Sequence, residues 1–185
     1  GLDRLVGNHF KRFEYREDIP TSLSNNSIND VFMDEHKQLW IGTGKGLNRF
    51  DATTNRFEHI KLSELEHEHH RFSISNIIAG DKPNTLIVST SGHGIYVLNA
   101  KTGAVDLPST TSLQQLMGTS FIGTLLLDNR GWLWAVTSHD GFKVIDLKTK
   151  KLVNINQTPE AGNVQTGQLI SSLQSDPVTG NMLIG

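Results

Sequence analysis

The chain of 185 residues has no cysteine, only five prolines and no long apolar run. The lack of cysteine excludes disulfides, a thiolate nucleophile and a thiolate metal site. A membrane-spanning helix needs about 18 to 20 apolar residues in succession, and no segment here approaches that length. The formal net charge is -2 without a basic block, so nucleic-acid binding by this segment is not expected.

What the sequence does contain is an internal repeat of about 47 residues, marked by some of its 17 glycines. The segment Gly46–Asp51 recurs from Gly94 and from Gly141, and a weaker copy begins at Gly1. Three upstream threonines lie 47 residues apart on both occasions, at Thr43, Thr90 and Thr137. Such a period is typical of repeat architectures.

Each repeat shows the pattern of four short strands. In the first, apolar runs at Ile28–Met33, Leu39–Ile41, Leu47–Phe50 and Phe57–Ile60 are separated by polar or glycine-rich turns. No segment has a sustained 3.6-residue apolar period, and 109–117 predicts at most a short turn of helix. The predicted fold class is all-β, a β-propeller with four-stranded antiparallel blades.

The period divides the chain into roughly four blades. We predict the end of a preceding blade in residues 1–18, then blades at 19–62, 63–108 and 109–156, and the start of a further blade at 157–185. Cut in this way, the chain is expected to be a fragment that leaves apolar sheet faces open and therefore self-associates.

Most repeated residues have a structural explanation. Trp40 and Trp134 occupy equivalent places and are predicted to fill the space between neighbouring sheets. The glycines before the third strand are expected at positive φ, and the aspartates that end this strand are expected to cap the next turn. The positions assigned to the structural repeat are Trp40, Gly42, Thr43, Gly46, Asp51, Thr90, Gly94, Trp134, Thr137, Gly141 and Asp146.

Three segments resemble the regulator-propeller repeat of two-component sensors: Pro20–Ile28, Leu39–Asp51 and Asp128–Trp134. The resemblance implies the periplasmic sensor region of a Bacteroides-type hybrid two-component histidine kinase. It further implies two tandem propellers, a β-sandwich domain, one membrane helix, and kinase, receiver and DNA-binding domains. On this basis the kinase chemistry and the membrane contact lie outside these residues, and a homodimer partner and the remaining blades are expected.

Candidate ligand-binding residues lie in loops that interrupt the repeat, since a propeller frame repeats while its loops carry function. Lys45, His93 and Asp140 each precede the repeated glycine. The side chain at this position therefore changes from cation to imidazole to carboxylate, while the flanking residues of the turn repeat. His139 lies beside Asp140. Arg71 offers a forked donor to a carboxylate or sulfate. These five residues are the predicted ligand-binding positions.

No catalytic residue, metal site or cofactor is predicted. The cluster His67–Arg71 contains imidazole and carboxylate groups suited to zinc or nickel, but adjacent residues rarely aim at one ion, so a solvated loop is favoured. A Gly-x-Ser-x-Gly elbow and a His-Glu-x-x-His motif are both lacking.

Three functions remain open from the sequence. The first is a non-enzymatic sensing module that detects a polysaccharide-derived oligosaccharide and signals to transcription. The second is a propeller lyase of the streptogramin-lyase type, whose relatives use a loop histidine and Mg²⁺. The third is a propeller that binds other proteins and senses no small molecule.

Overall fold

The computed structural model describes residues 1–67, 70–118, 121–138, 141–155, 172–176, 179 and 182–185. They form antiparallel sheets that follow one another along the chain. The strands are β1 (Leu2–Val6), β2 (His9–Phe13), β3 (Ile28–Met33), β4 (Leu39–Thr43), β5 (Gly46–Asp51), β6 (Arg56–Ile60), β7 (Ile74–Ala79), β8 (Thr85–Thr90), β9 (Ile95–Asn99), β10 (Ile122–Leu127), β11 (Trp132–Thr137), β12 (Gly141–Asp146), β13 (Lys151–Leu152), β14 (Leu173–Ser175) and β15 (Met182–Ile184). Among the described residues, no helix is long and apolar enough to cross a membrane.

The first complete blade is the sheet β3-β4-β5-β6. Its register pairs Ile41 with Asn48 and Phe50 with Phe57. Strand β4 is apolar and buried on both faces, as expected for a sheet enclosed between neighbours. The turn after β5 is capped by Asp51, whose Oδ1 accepts hydrogen bonds from the amides of Thr53 and Thr54, as predicted.

The second repeat departs from the predicted four strands. Strands β7, β8 and β9 form a three-stranded sheet, and the expected fourth strand is reduced to a single bridge between Leu98 and Val105. Helix α1 (Leu107–Met117) follows immediately. It satisfies the outer edge of β9, because Thr110 Oγ1 accepts from the Val97 amide at 2.9 Å and Gln114 Nε2 donates to the Ile95 carbonyl at 3.0 Å.

The third repeat again forms four strands, β10-β11-β12-β13, and β14 pairs with β15 beyond it. The first strands of successive repeats are neighbours in space: β3 contacts β7, β7 contacts β10, and β10 contacts β14. These contacts place β3 and its equivalents on the inside of an arc of sheets. The predicted β-propeller architecture is confirmed, with blades that follow one another around that inner side.

Side-chain hydrogen bonds join the inner strands at equivalent positions. Asp30 Oδ2 accepts from the Ile77 amide at 2.6 Å, and Asn76 Oδ1 accepts from the Leu125 amide at 3.0 Å. Each acceptor follows a bulge in its own strand. A bulge leaves one residue out of the ladder, so the side chain next to it can serve the neighbouring blade.

The core lies between the sheets. Trp40 is fully buried in one cluster with Ile74, Ile77 and Val88 of the second repeat. Burying a large apolar side chain stabilises the fold by about 1.5 to 3 kcal/mol. A second cluster, which includes Ile87 and Leu133, fills the space between the second and third repeats.

Candidate functional site

Two kinds of loop meet on one face of the sheets, which we call the loop face: the segments that precede the inner strands and the turns between the second and third strands. The first contact is a hydrogen bond from the Gly44 amide to the Ser27 carbonyl at 2.9 Å. The equivalent bonds run from Ser91 to Ser73 at 2.9 Å and from Ser138 to Phe121 at 3.1 Å. The loops that precede the inner strands are therefore fixed to the turns beside them.

The repeated threonine and glycine form the frame of each turn. Thr43 Oγ1 donates to the Gly46 carbonyl at 3.0 Å, and Thr90 Oγ1 donates to the Gly94 carbonyl at 2.8 Å. The φ angles of Gly46 and Gly94 are 112° and 77°, in the region that the sequence predicts for them. In the third repeat Thr137 Oγ1 bonds the Gly141 carbonyl in the same way, at 3.1 Å.

This frame presents Lys45 and His93 at the same position of successive turns. The amide of Lys45 donates to Thr43 Oγ1 at 3.1 Å, and the amide of His93 donates to Thr90 Oγ1 at 3.2 Å. Lys45 is exposed, whereas His93 is half-buried. The other two predicted turn residues, His139 and Asp140, lie outside the described residues.

A position that the sequence analysis left without a role also ties strands to the loop face. Asn48 is fully buried, and its Oδ1 accepts from the Ser24 amide at 2.9 Å while its Nδ2 donates to Ser24 Oγ at 2.8 Å. The equivalent residue of the third repeat, Lys143, donates to the Met117 carbonyl at 3.1 Å. A polar residue two places after each repeated glycine was the available sequence signal.

The segment before β7 is closed by a buried carboxylate. Glu66 is 4% exposed, and its two oxygens accept from the Leu62 amide at 2.6 Å and from the Phe72 amide at 2.7 Å. Charged acceptors make strong hydrogen bonds, so Glu66 ties the two ends of this loop together. It holds Arg71 and Phe72 in place at the start of the second blade.

Phe72 supports the imidazole of His93. The two rings are parallel, with centroids 3.8 Å apart and an interplanar angle of 12°. Phe72 itself is only 1% exposed, so it forms the floor beneath His93 and is not available as a stacking surface for a ligand. The rings of His67 and His70 lie nearby, but no group of three metal-ligating residues converges in the part of the chain that is described.

Arg71 extends from the second blade across the turn of the first. A Cβ built on Gly46 would lie 3.1 Å from Arg71 Cδ, so the glycine leaves room for this side chain. Arg71 Nη1 and His93 Nδ1 are both buried and have no hydrogen-bond partner within the described part of the protein. An unpaired buried polar atom is costly, so these two are the atoms of the loop face that are ready to accept a partner.

Two pKa shifts show the electrostatics around these residues. Burial lowers the pKa of His59, and the charge of Arg71 acts in the same direction, against the hydrogen bond from the ring to the Ser22 carbonyl. Burial raises the pKa of Tyr96, and the negative charge of Glu66 contributes to the rise. Arg71 thus projects positive charge toward the first blade.

The similarity to a known family lies in the first blade, from the loop before β3 to the turn after β4. Residues 22–45 match the family model of the two component regulator propeller. The chain carries a regulator-propeller repeat. The matched stretch contains Ser24, Trp40 and Thr43, so the residues that carry the resemblance in the sequence are the ones that build the first blade. No curated protein matches the chain at a significant level.

Solved structures with a similar fold include extracellular domains of two-component sensors. The extracellular domain of the hybrid two component system BT4673 from B. thetaiotaomicron aligns with 92% of this chain at 23% identity and a TM-score of 0.70. That of BT3049 from the same organism aligns with 96% at 16% identity and a TM-score of 0.50. The computationally designed Ika4 protein aligns with 95% of this chain, and with 97% of its own length, at 14% identity and a TM-score of 0.53.

This chain spans 23% and 28% of the lengths of the two sensor domains. These likenesses show the shared fold of the blades. The chain thus has a regulator-propeller repeat in its sequence, and its sheets are arranged as in the extracellular domains of these sensors.

Proposed function

We propose that this chain is a non-enzymatic, periplasmic input module of a hybrid two-component sensor, and that it binds an oligosaccharide released from a polysaccharide. The observation that carries the proposal is the structural match to extracellular sensor domains over most of the chain, together with the regulator-propeller repeat. The kinase, the membrane helix and the DNA-binding domain of such a system belong to other parts of the protein.

The loop face between the first and second blades supports this proposal as the binding surface. Its frame is constant, since Thr43 and Thr90 bond equivalent carbonyls, while the side chains that it presents change from Lys45 to His93. A rigid frame with variable side chains is how a propeller adapts one surface to one ligand. The segment that leads into β7 is held against that frame, because Phe72 stacks on His93 and its amide donates to Glu66.

Signalling by such a module requires two arrangements of the sensor. A ligand shifts the equilibrium between them only by the difference in its affinity for the two. Arg71 belongs to the second blade and lies over Gly46 of the first, so a ligand held by Arg71 contacts the junction between blades. We propose that this contact favours one relative placement of the propeller and its homodimer partner, and that the kinase responds to that placement.

Isothermal titration calorimetry of the intact protein with defined oligosaccharides from bacterial, plant and host polysaccharides tests the proposal. We expect one oligosaccharide class to bind, with affinity at least tenfold lower in His93→Ala. His9→Ala is the matched control, because His9 is exposed on β2, away from the loop face, and should leave binding unchanged.

Absence of heat with every oligosaccharide would contradict the sensing proposal. Turnover of a bound oligosaccharide, or of a lyase substrate, would contradict the non-enzymatic part of it. Binding that survives in His93→Ala but is lost on changing residues of another face would support the sensing proposal. It would contradict the assignment of the binding site to the loop face.

A further inference from the structure

Arg71 carries a charge that the described residues do not neutralise. A guanidinium stays protonated at all relevant pH values and can donate five hydrogen bonds. Its Nη1 is buried, and among the described residues it has neither a hydrogen-bond partner nor an ion pair. Glu66 is the buried carboxylate of the same loop, but both its oxygens already accept backbone amides.

The surroundings of Arg71 add positive charge and leave space. Gly46 has no side chain where the arginine passes, and Lys45 is exposed immediately beside it. The neighbouring imidazole, His59, uses its Nε2 to donate to the Ser22 carbonyl at 2.7 Å. The side chain of Arg71 therefore passes over the turn of the first blade that carries the exposed Lys45, and its buried Nη1 has no hydrogen-bond partner among the described residues.

His93 supplies a second free polar atom on the same face. Its ring is held flat on Phe72 at a centroid distance of 3.8 Å, and its Nδ1 is buried with no hydrogen-bond partner in the described part of the chain. A nitrogen fixed in this way recognises one hydrogen-bonding group with little loss of conformational freedom. A hydroxyl or an anionic oxygen can serve as that group, depending on the tautomer of the ring.

From these observations we propose that the loop face recognises an acidic oligosaccharide, in which a carboxylate or sulfate group pairs with Arg71 and a neighbouring oxygen bonds His93 Nδ1. This inference rests on the proposed function and names its ligand class. Carboxylates and sulfates both match the fork of a guanidinium, whereas a neutral sugar would leave its charge unpaired. Lys45 adds attraction at longer range.

Two matched ligand pairs test the charge directly, without any change to the protein. The first is a galacturonic acid trisaccharide and its methyl ester, and the second is a sulfated galactose oligosaccharide and its unsulfated form. We expect the intact protein to bind the charged member of one pair at least tenfold more tightly, and the pair that shows this preference identifies carboxylate or sulfate. Raising the salt from about 50 to 300 mM should reduce the preference.

Variants then assign the preference to Arg71. Arg71→Gln should abolish it, and Arg71→Lys should weaken it because the fork is lost while the charge remains. Arg56→Gln is the control, since Arg56 is exposed at the start of β6 and at the far end of the blade. Thermal melting of each variant shows whether it is folded. If Arg71→Gln does not fold, the two ligand pairs still test the charge preference on the unchanged protein.

The outcomes separate this inference from the proposed function. Equal binding of charged and neutral members, or a preference that persists in folded Arg71→Gln, would overturn the acidic-ligand inference and leave oligosaccharide sensing in place. If none of the four oligosaccharides binds but the wider neutral panel does, the acidic-ligand inference alone fails. If no oligosaccharide of any kind binds, both fail.

Discussion

The indole nitrogen of Trp40 donates a hydrogen bond to Oδ2 of Asp34 at 3.0 Å, and both residues are buried. Oδ1 of the same aspartate accepts the amides of His36 and Gln38, so one carboxylate holds both a turn and a core tryptophan. The third repeat has the same arrangement, with Trp134 bonded to Asp128 at 2.9 Å.

The second repeat lacks both members of this pair. Gly80 and Ile87 occupy their positions, while the backbone bond from Gly80 to the Thr85 carbonyl is retained at 2.8 Å. A Cβ added at Gly80 would overlap the Thr85 side chain, so this turn excludes the aspartate. The second repeat therefore lacks both the acceptor and the donor of this hydrogen bond.

A double-mutant cycle measures the coupling in this pair. Asp34→Ala should reduce the free energy of unfolding by about 1 to 3 kcal/mol, because it leaves a buried indole N–H and two turn amides without an acceptor. Trp40→Phe removes the donor, so the loss caused by Asp34→Ala should be smaller in that background. Urea denaturation of the four proteins gives the coupling, and full additivity would contradict the account.

Acid should weaken the fold through Asp128. Burial raises its pKa, but hydrogen bonds from the Trp134 indole, the Trp132 amide and Arg130 outweigh burial, so the pKa lies below the usual 3.8. A carboxyl with a lowered folded-state pKa stabilises the protein above its unfolded pKa, and this stabilisation is lost as the pH falls from about 5 through 3.8 to the lower folded value.

Asp128→Asn should therefore flatten the dependence of the urea midpoint on pH between about 5 and 3. The control is Asp81→Asn, an exposed aspartate whose replacement should leave the slope as it is. An unchanged slope in Asp128→Asn would show that its hydrogen bonds do not contribute to acid sensitivity.

Equivalent glycines separate the cost of backbone conformation from the cost of contact. Gly94 and Gly141 have φ of 77° and 70°, but a Cβ at Gly94 would lie 3.2 Å from the Gly118 carbonyl oxygen, while none of the described atoms lies within 4 Å at Gly141. Gly141→Ala should cost about 1 kcal/mol from the left-handed backbone alone. Gly94→Ala should cost more, as measured by thermal or urea unfolding, and equal losses would contradict this reading.

The charge of Arg71 should be visible in the titration of His59. Because that charge contributes to the lowered pKa of His59, Arg71→Gln should raise this pKa toward 6.5. NMR titration of the imidazole resonances measures it, with Arg56→Gln as the variant that should have no effect. Binding of an acidic ligand to Arg71 should raise the pKa of His59 in the same direction, and a fall on binding would contradict the assignment.

The sequence was sufficient for the elements that repeat. The interval between Thr43, Thr90 and Thr137 located the second strand of each blade, and Gly46 marked the start of the next. These elements are predictable because each repeat meets the same packing requirement, so its apolar positions and turn residues recur.

The sequence analysis predicted at most a short turn of helix at 109–117, whereas α1 has 11 residues, because its residues are mostly polar and its stability comes from outside it. Its amide and hydroxyl groups serve the edge of β9, which periodicity does not show. Local signals existed: Asp106 caps it by accepting from Ser109, Pro108 lies in its first turn, and Gly118 ends it. Together they indicate a helix start and stop.

The candidate site was predicted in part. The position of Lys45 and His93 in equivalent turns follows from the repeat, but the reach of Arg71 over Gly46 and the stacking of Phe72 on His93 do not. Contacts between different blades depend on side-chain directions that a single sequence leaves open.

The crystal structure of the intact protein with its bound oligosaccharide tests the central claim most directly. The account predicts that the ligand lies on the loop face between the first and second blades, with an anionic oxygen within hydrogen-bonding distance of Arg71 and an oxygen bonded to His93 Nδ1. A ligand bound elsewhere, with Arg71 and His93 unchanged, would contradict it.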